Sequence, residues 1–320
     1  MKVYAIAAGD PSLCASELGA LFETYGVEAR LESRGKLVLG EAGSLPGPAV
    51  GRAAYAREVG LLLSLQGDAD AGSLPFGGLA GRRFKVDAQG FPDEEKKSID
   101  AAVGRKVLEE APGSRVSLRE PEVVVRVLRS GREVLFGTAA PGRRRRWVDR
   151  RPRARAYFHP VAVFPKLARL LVNLARVKQG DVFMDPFAGT GSLLIEASEM
   201  GIEALGIDVQ RKMVFGARAN TQGGCHLVRA DSRRMPIRAV GGMATDIPYG
   251  RASGIVGGAE EIGGRLLEQA QDLLRPGSHV VVMSSSGLVP AGAGGLALVS
   301  RHRLYVHRSL ERAISVFRRR

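Results

Sequence analysis

The stretch Asp185-Pro186-Phe187-Ala188-Gly189-Thr190-Gly191-Ser192 restricts the fold more than any other. It follows an apolar run, Asp181–Met184, that reads as a buried strand, and it opens Gly191–Met200, which reads as a helix. A strand that turns through glycines into a helix is the repeating unit of parallel α/β sheets. The alternation continues on both sides. Lys166–Arg176, Arg211–Asn220 and Glu260–Leu274 carry helical patterns, and Ala204–Ile207, His226–Arg229, Met243–Thr245 and Val280–Ser284 read as strands. The region from Phe158 onward is therefore expected to form a mostly parallel, doubly wound sheet.

Ligands of such sheets bind at the carboxyl ends of the strands. Three of those ends are acidic: Asp185, Asp208 and Asp231. Gly189 and Gly191 remove side chains where a ligand would approach the backbone. A dinucleotide fingerprint would need a third glycine three residues after the second, but that position is Leu194. Asp185 inside the turn also suits a cation better than a pyrophosphate. Asp208 is placed to accept ribose hydroxyls, and Asp231 to accept an adenine amino group. Together these positions fit S-adenosylmethionine, an adenosine that carries a sulfonium and no phosphates. Phe187 is a further cofactor candidate, with packing as its competing reading.

The fourth strand runs into Asp246-Ile247-Pro248-Tyr249-Gly250, where a methyl acceptor would meet that cofactor. The lone pair of an exocyclic base amine is delocalised into the ring, so the nitrogen is a poor nucleophile. Asp246 can accept one of its N–H bonds, and the carbonyl of Ile247 or Pro248 the other. The two acceptors favour a pyramidal nitrogen aimed at the methyl group. Tyr249 can stack on the base, a contact of ~1–3 kcal/mol. A paired base would first have to leave its helix.

Charge points to the partner. The 320 residues carry a net charge of +14, and eight of the thirteen residues from Arg143 to Arg155 are arginine. Such clustering attracts polyanions through counterion release. Arg143, Arg144, Arg145, Arg146 and Arg151 are the candidate RNA contacts; Trp147 reads equally as a stacking residue or as an anchor of the linker. Lys166 and Arg169 read as solvated helix residues or phosphate contacts, and His159 as a structural hydrogen-bonder. Cys14 and Cys225 are the only cysteines, which excludes a disulfide scaffold, a cysteine zinc site and a cysteine nucleophile of the kind used in carbon-5 pyrimidine methylation. No ligand set for a metal is assigned. No run approaches the ~18 apolar residues of a membrane span, and the apolar Val3–Ala8 ends too early for a signal peptide. A soluble, cytoplasmic protein is expected.

Upstream, Lys2–Ala8, Val27–Glu32 and Lys36–Gly40 read as strands, Pro11 opens a helix, Gly43–Pro48 reads as a loop and Arg52–Leu65 as a second helix. From Gly67 a second unit follows, with strands at Arg83–Asp87, Arg115–Leu118, Glu122–Arg129 and Arg132–Phe136 and a helix at Glu94–Glu110. The divisions expected are 1–66, 67–141, a linker over 142–157, and 158–320.

Asp246–Gly250 resembles the amino-methyltransferase pattern [Asp/Asn]-Pro-Pro-[Tyr/Phe], with Ile247 at the first proline. The wider chain resembles the archaeal tRNA guanine-10 N2-methyltransferases. Phe158-His159-Pro160, Pro165-Lys166-Leu167-Ala168, Asp185–Ser192 and His307-Arg308-Ser309-Leu310 carry that likeness, and Val116–Val123 looks like the core of a THUMP domain. The resemblance implies a Rossmann-like S-adenosylmethionine-dependent methyltransferase domain preceded by α+β ferredoxin-like and THUMP domains that grip tRNA. It also implies Asp246, Pro248 and Tyr249 at the target base, and Asp185, Phe187, Gly189, Gly191, Asp208 and Asp231 around the cofactor. The implied product is N2-methyl- or N2,N2-dimethylguanosine at tRNA position 10. tRNA is the expected partner and a monomer the expected state, with a small activator protein as a candidate second partner. The competing functions are the same chemistry at another tRNA position or on ribosomal RNA, a DNA adenine or cytosine amino-methyltransferase, against which the THUMP-like segment argues, and a catalytically silent RNA-binding subunit.

Overall fold

The computed structural model describes residues 1–142, 147–247, 259–285, 292–307 and 310–320. Two compact units emerge, one covering most of the chain up to residue 142, the other residues 147–320 with the short pieces Glu23–Tyr25 and Gly51–Ala54.

The first unit is built on one eight-stranded sheet. Its strands are β1 (Lys2–Ala7), β2 (Ala29–Arg34), β3 (Leu37–Ala42), β4 (Ala56–Gln66), β5 (Arg83–Gln89), β6 (Arg115–Val116), β7 (Val123–Ser130) and β8 (Glu133–Ala139). They lie in the order β2-β3-β1-β4-β8-β7-β5-β6, so residues 1–66 and 67–141 share a continuous sheet. Helices α1 (Pro11–Thr24), α2 (Gly47–Arg52) and α3 (Asp93–Glu110) complete the unit. The join between β4 and β8 is tight. Gly60 and Gly137 lie under the Tyr4 ring, where a Cβ would come within 2.7 and 2.3 Å of a ring carbon. Beside them the buried Arg126 binds Glu58 and Asp87, and the Tyr4 hydroxyl donates to Glu58 at 2.7 Å.

One expectation fails here. Arg52–Leu65 is not a helix: α2 ends at Arg52, and Ala56–Gln66 is the strand that bridges β1 and β8. The run of leucines gives no clear period, and a bulge at Leu62/Ser64 breaks the alternation that would have marked a strand.

The second unit carries β9 (Val182–Asp185), β10 (Glu203–Asp208), β11 (His226–Arg229), β12 (Gly242–Asp246), β13 (His279–Ser285), β14 (Gly292–Ala293), β15 (Leu296–His307) and β16 (Leu310–Arg319). Helices α4 (Pro165–Leu174), α5 (Ser192–Ser198), α6 (Arg211–Asn220) and α7 (Ala259–Leu273) connect or flank them. The order is β11-β10-β9-β12-β13-β16-β15-β14. The first five strands are parallel, and β16, β15 and β14 add to them antiparallel. From β9 the chain winds outward through β10 and β11, then crosses back to β12 on the other side. The switch point, where doubly wound sheets bind ligands, therefore lies between β9 and β12. The core under it includes Met184, Ile207, Met243, Leu267, Val280, Val282 and Phe317, all at most 1 % exposed.

The arginine-rich connector is anchored to this unit. Glu196 on α5 is fully buried and accepts from Arg150 Nε and Arg169 Nε, each at 2.8 Å. The Trp147 ring lies 5.5 Å from both guanidinium carbons. Arg169 is thus a buried ion-pair partner rather than a solvated residue or a phosphate contact, and the half-buried Trp147 ring packs beside the same two guanidinium groups. Arg155 donates to Ser192 Oγ at 2.7 Å, so the connector also touches the first turn of the helix that follows the glycines.

Candidate active site

The turn after β9 holds its shape through backbone bonds. Gly189 and Gly191 take φ of +53° and +81°, a region costly for residues with a Cβ. Ala188 N–H donates to the Ile207 carbonyl at 2.9 Å, and Gly191 N–H to the Ala188 carbonyl at 2.8 Å. Asp208, at the end of β10, accepts Gly189 N–H at 3.0 Å on one oxygen and Gln210 N–H at 2.8 Å on the other. It ties the turn to its neighbouring strand, and each oxygen keeps a second lone pair. Phe187 is partly buried against the core, and its N–H donates to Asp185 Oδ1 at 3.1 Å.

Asp185 and Asp246 end the two strands that flank the switch point. Asp185 is 2 % exposed, and the fully buried Thr245 of β12 donates to its Oδ1 at 2.7 Å. Burial pushes the Asp185 carboxyl up to about 7, against the pull of the Thr245 hydroxyl and Phe187 N–H; the nearby Asp208 and Asp246 add repulsion. At such a position a nearby cation would favour the charged form of the carboxyl. The left-handed glycines, the clasp by Asp208 and the buried charge of Asp185 together fit the sulfonium-bearing cofactor expected from the sequence.

Asp246 is also largely buried, and burial raises its carboxyl to about 6 although Arg312 lowers it. Arg312 donates to Asp246 Oδ2 at 2.7 Å. The other oxygen, Oδ1, is buried and has no hydrogen-bond partner among the described residues. An acceptor left this way costs ~1–3 kcal/mol, more for a charged group.

Ile247, at the pattern's first proline, is 1 % exposed, and its N–H donates to the Met283 carbonyl of β13 at 2.8 Å. A proline could not make that bond. Strand pairing and burial thus hold the backbone that proline would otherwise stiffen. Ile247→Pro should lower stability by ~1–3 kcal/mol by leaving the Met283 carbonyl without its donor, with no gain in turnover. Urea unfolding checks this, and an unchanged midpoint would mean that the bond contributes nothing.

Asp231 is not drawn into this cluster. Its carboxylate is gripped by Arg233 through Nε at 3.0 Å and Nη2 at 2.7 Å, and the side chain is 41 % exposed. Solvent screens an exposed pair of this kind and it adds little, so it can open to other partners. His159 Nδ1 is buried with no hydrogen-bond partner among the described residues. Arg151 is exposed. Pro248, Tyr249 and Arg143–Arg146 lie outside the described residues.

Sequence reasoning missed two side chains, Thr245 and Arg312. Thr245 reaches across to β9 beside the two acids. Arg312 sits on β16, a strand that no local sequence pattern marks. Its signal was a cation entering Ala313–Phe317, a run buried on both faces.

A parallel sheet with a left-handed glycine turn, a clasped strand-end acid and a buried acid pair across the switch point defines an S-adenosylmethionine-dependent methyltransferase. The family model UPF0020, described as RMKL-like methyltransferase domain, matches residues 152–314, and the chain belongs to that family. It is 32 % identical over 236 residues to the tRNA (guanine(10)-N2)-dimethyltransferase of Methanothermobacter thermautotrophicus, covering 71 % of this chain and 70 % of that one. It is 30 % identical over 245 residues to the enzyme of the same name from Methanocaldococcus jannaschii, covering 71 % and 68 %. The crystal structure of TrmN from Thermus thermophilus aligns with a TM-score of 0.51 at 22 % identity, covering 100 % of this chain and 99 % of that one, a likeness of fold.

Proposed function

We propose that the chain transfers a methyl group from S-adenosylmethionine to the exocyclic N2 of guanosine 10 in tRNA. The observation that carries this reading is the buried Oδ1 of Asp246, without a partner among the described residues and one strand from Asp185 at the cofactor turn. An N–H of the target amine would satisfy it. The bound cofactor supplies an electrophilic methyl on a positively charged sulfur. Asp185 and the Gly189–Gly191 turn hold it, and Asp208, with Asp231 once released from Arg233, binds its adenosine. Asp246 Oδ1 and the Ile247 or Pro248 carbonyl accept the two amine N–H bonds, turning the nitrogen lone pair toward the methyl. The bound cofactor would supply the methyl and leave as S-adenosylhomocysteine, its sulfur keeping the electron pair of the broken carbon–sulfur bond; Asp246 Oδ1 is placed to take the proton that the methylated nitrogen releases and to pass it to solvent. Tyr249 stacks on the base.

The substrate assignment draws on the names of the two archaeal relatives and on the net charge of +14. Residues 67–141 act as a THUMP domain and 1–66 as a ferredoxin-like domain that together grip the tRNA, and Arg143–Arg146 with Arg151 contact its phosphates. The protein works in the cytoplasm as a monomer, with or without a small activator protein. The product is N2-methylguanosine, N2,N2-dimethylguanosine or both.

The test is to incubate the protein with labelled S-adenosylmethionine and unmodified tRNA, then map the labelled nucleoside. Label in N2-methylated guanosine at position 10, lost when that guanosine is replaced by adenosine, is the expected result. Label at another guanosine would move the site. No label on any RNA, with cofactor and RNA both bound, would favour a silent RNA-binding subunit.

A further inference from the structure

We infer that Arg312 is the positioning residue of the methyl-acceptor site: it holds the Asp246 carboxylate in place by one oxygen and leaves the other as an acceptor for the amine. The inference rests on the reading of Asp246 above and deepens it.

The geometry is specific. Arg312 Nη1 donates to Asp246 Oδ2 at 2.7 Å, and both side chains are only 14 % exposed, so the pair is shielded from water. The register explains how a residue 66 positions away reaches Asp246. Asp246 pairs with Met283 on β13, and Ser285, two residues on, pairs with Arg312 on β16. Arg312 therefore stands one strand beyond β13, at the same carboxyl end of the sheet, and reaches back across it. A guanidinium stays charged at any accessible pH and offers donors in a fixed plane, so the carboxylate that meets it loses rotational freedom. The oxygen it does not touch is the unpartnered one.

The groups around Asp246 make this cation necessary. Arg312 approaches from β16, Asp185 repels from β9, and β13 offers the Met283 backbone and thioether. Thr245, next along β12, spends its hydroxyl on Asp185. Burial favours a protonated Asp246, and Arg312 opposes it through charge and hydrogen bond. A protonated Asp246 would present either a donor or a neutral oxygen, a weaker acceptor for the amine N–H than a carboxylate.

The pair also accounts for aspartate where the amino-methyltransferase pattern permits asparagine. An asparagine beside Arg312 would turn its own carbonyl oxygen to the guanidinium. Its NH₂ would then face the target amine, donor against donor.

The test compares Arg312→Met and Arg312→Lys with the wild type in full kcat–pH profiles on tRNA, alongside calorimetric S-adenosylmethionine binding. Arg312→Met should lower kcat at pH 7 by ~10²-fold. It should also move the acid limb of the profile upward by about one pH unit or more while cofactor affinity is retained. Arg312→Lys should recover most of both. The loss of melting temperature in Arg312→Met should be larger at pH 8 than at pH 5, where the unpaired Asp246 is protonated. Turnover within a factor of about two of wild type, or a loss that leaves the acid limb in place and is not recovered by lysine, would overturn the inference. If the wild type itself transfers no methyl to tRNA, the functional reading fails instead; the pH dependence of the melting difference still tests the pair.

Discussion

Asp246→Asn should abolish methyl transfer and leave S-adenosylmethionine binding intact. The substitution is nearly isosteric, so the packing under β12 and β13 is preserved. What changes is polarity at two oxygens. Oδ2 meets Arg312 at 2.7 Å, and Oδ1 has no partner among the described residues. The amide can satisfy only one side, and the guanidinium, fixed and charged, takes the carbonyl. The substrate amine then faces an NH₂. The lost hydrogen bond and the added repulsion should cost ~10³-fold or more in kcat, comparable to losing a preorganised catalytic hydrogen bond. Cofactor affinity should hold, because Asp185, Asp208 and the glycine turn make no hydrogen bond to Asp246. Single-turnover transfer and calorimetric binding separate the two quantities. A variant that keeps wild-type turnover would remove Asp246 from the chemistry altogether.

The same strand marks the boundary between what a sequence discloses and what it hides. β9, β10, α6 and β11 were legible almost to the residue, because each joins local apolar patterning to a turn signal at its end. Asp185 and Asp208 were legible as the acids that end β9 and β10, but their partners were not. Asp208 serves the turn through backbone N–H groups, which no side-chain pattern reveals. Asp231 is held by Arg233, two residues on, a local pair that competes with a ligand. Arg312 reaches Asp246 only through a long antiparallel strand in which apolar residues face both ways, so no period announces it. β4 failed for the same reason: its leucines fit a helix until Gly60 is seen under the Tyr4 ring, a contact 56 residues away in the chain. The arginine run was legible as charge but not as structure, since Arg150 and Arg155 turn inward to Glu196 and Ser192 while Arg151 faces solvent.

Asp185→Asn should stabilise the cofactor-free protein at pH 8 and weaken S-adenosylmethionine binding by ~10²-fold. Both existing hydrogen bonds end on one carboxylate oxygen, from Thr245 Oγ1 and Phe187 N–H, and an amide carbonyl can accept both. The substitution therefore removes charge with little change in contacts. The sign follows from the direction of the shift. Burial raises the folded-state carboxyl to about 7, well above its ordinary value, so the folded protein binds this proton more tightly than the unfolded chain does. The stability tied to the proton is fully present below the unfolded value near ~4 and is lost as pH rises to about 7. At pH 8 the wild type bears the full cost of a buried charge, and the asparagine variant does not. The melting temperature of the variant should exceed that of the wild type by on the order of 5 °C at pH 8, and the gap should close toward pH 4. Added S-adenosylmethionine should reverse the order, because only the wild type gains a cation for its buried carboxylate. A variant no more stable than wild type at pH 8, or one that binds the cofactor equally well, would mean that Asp185 is not the counter-charge of this site.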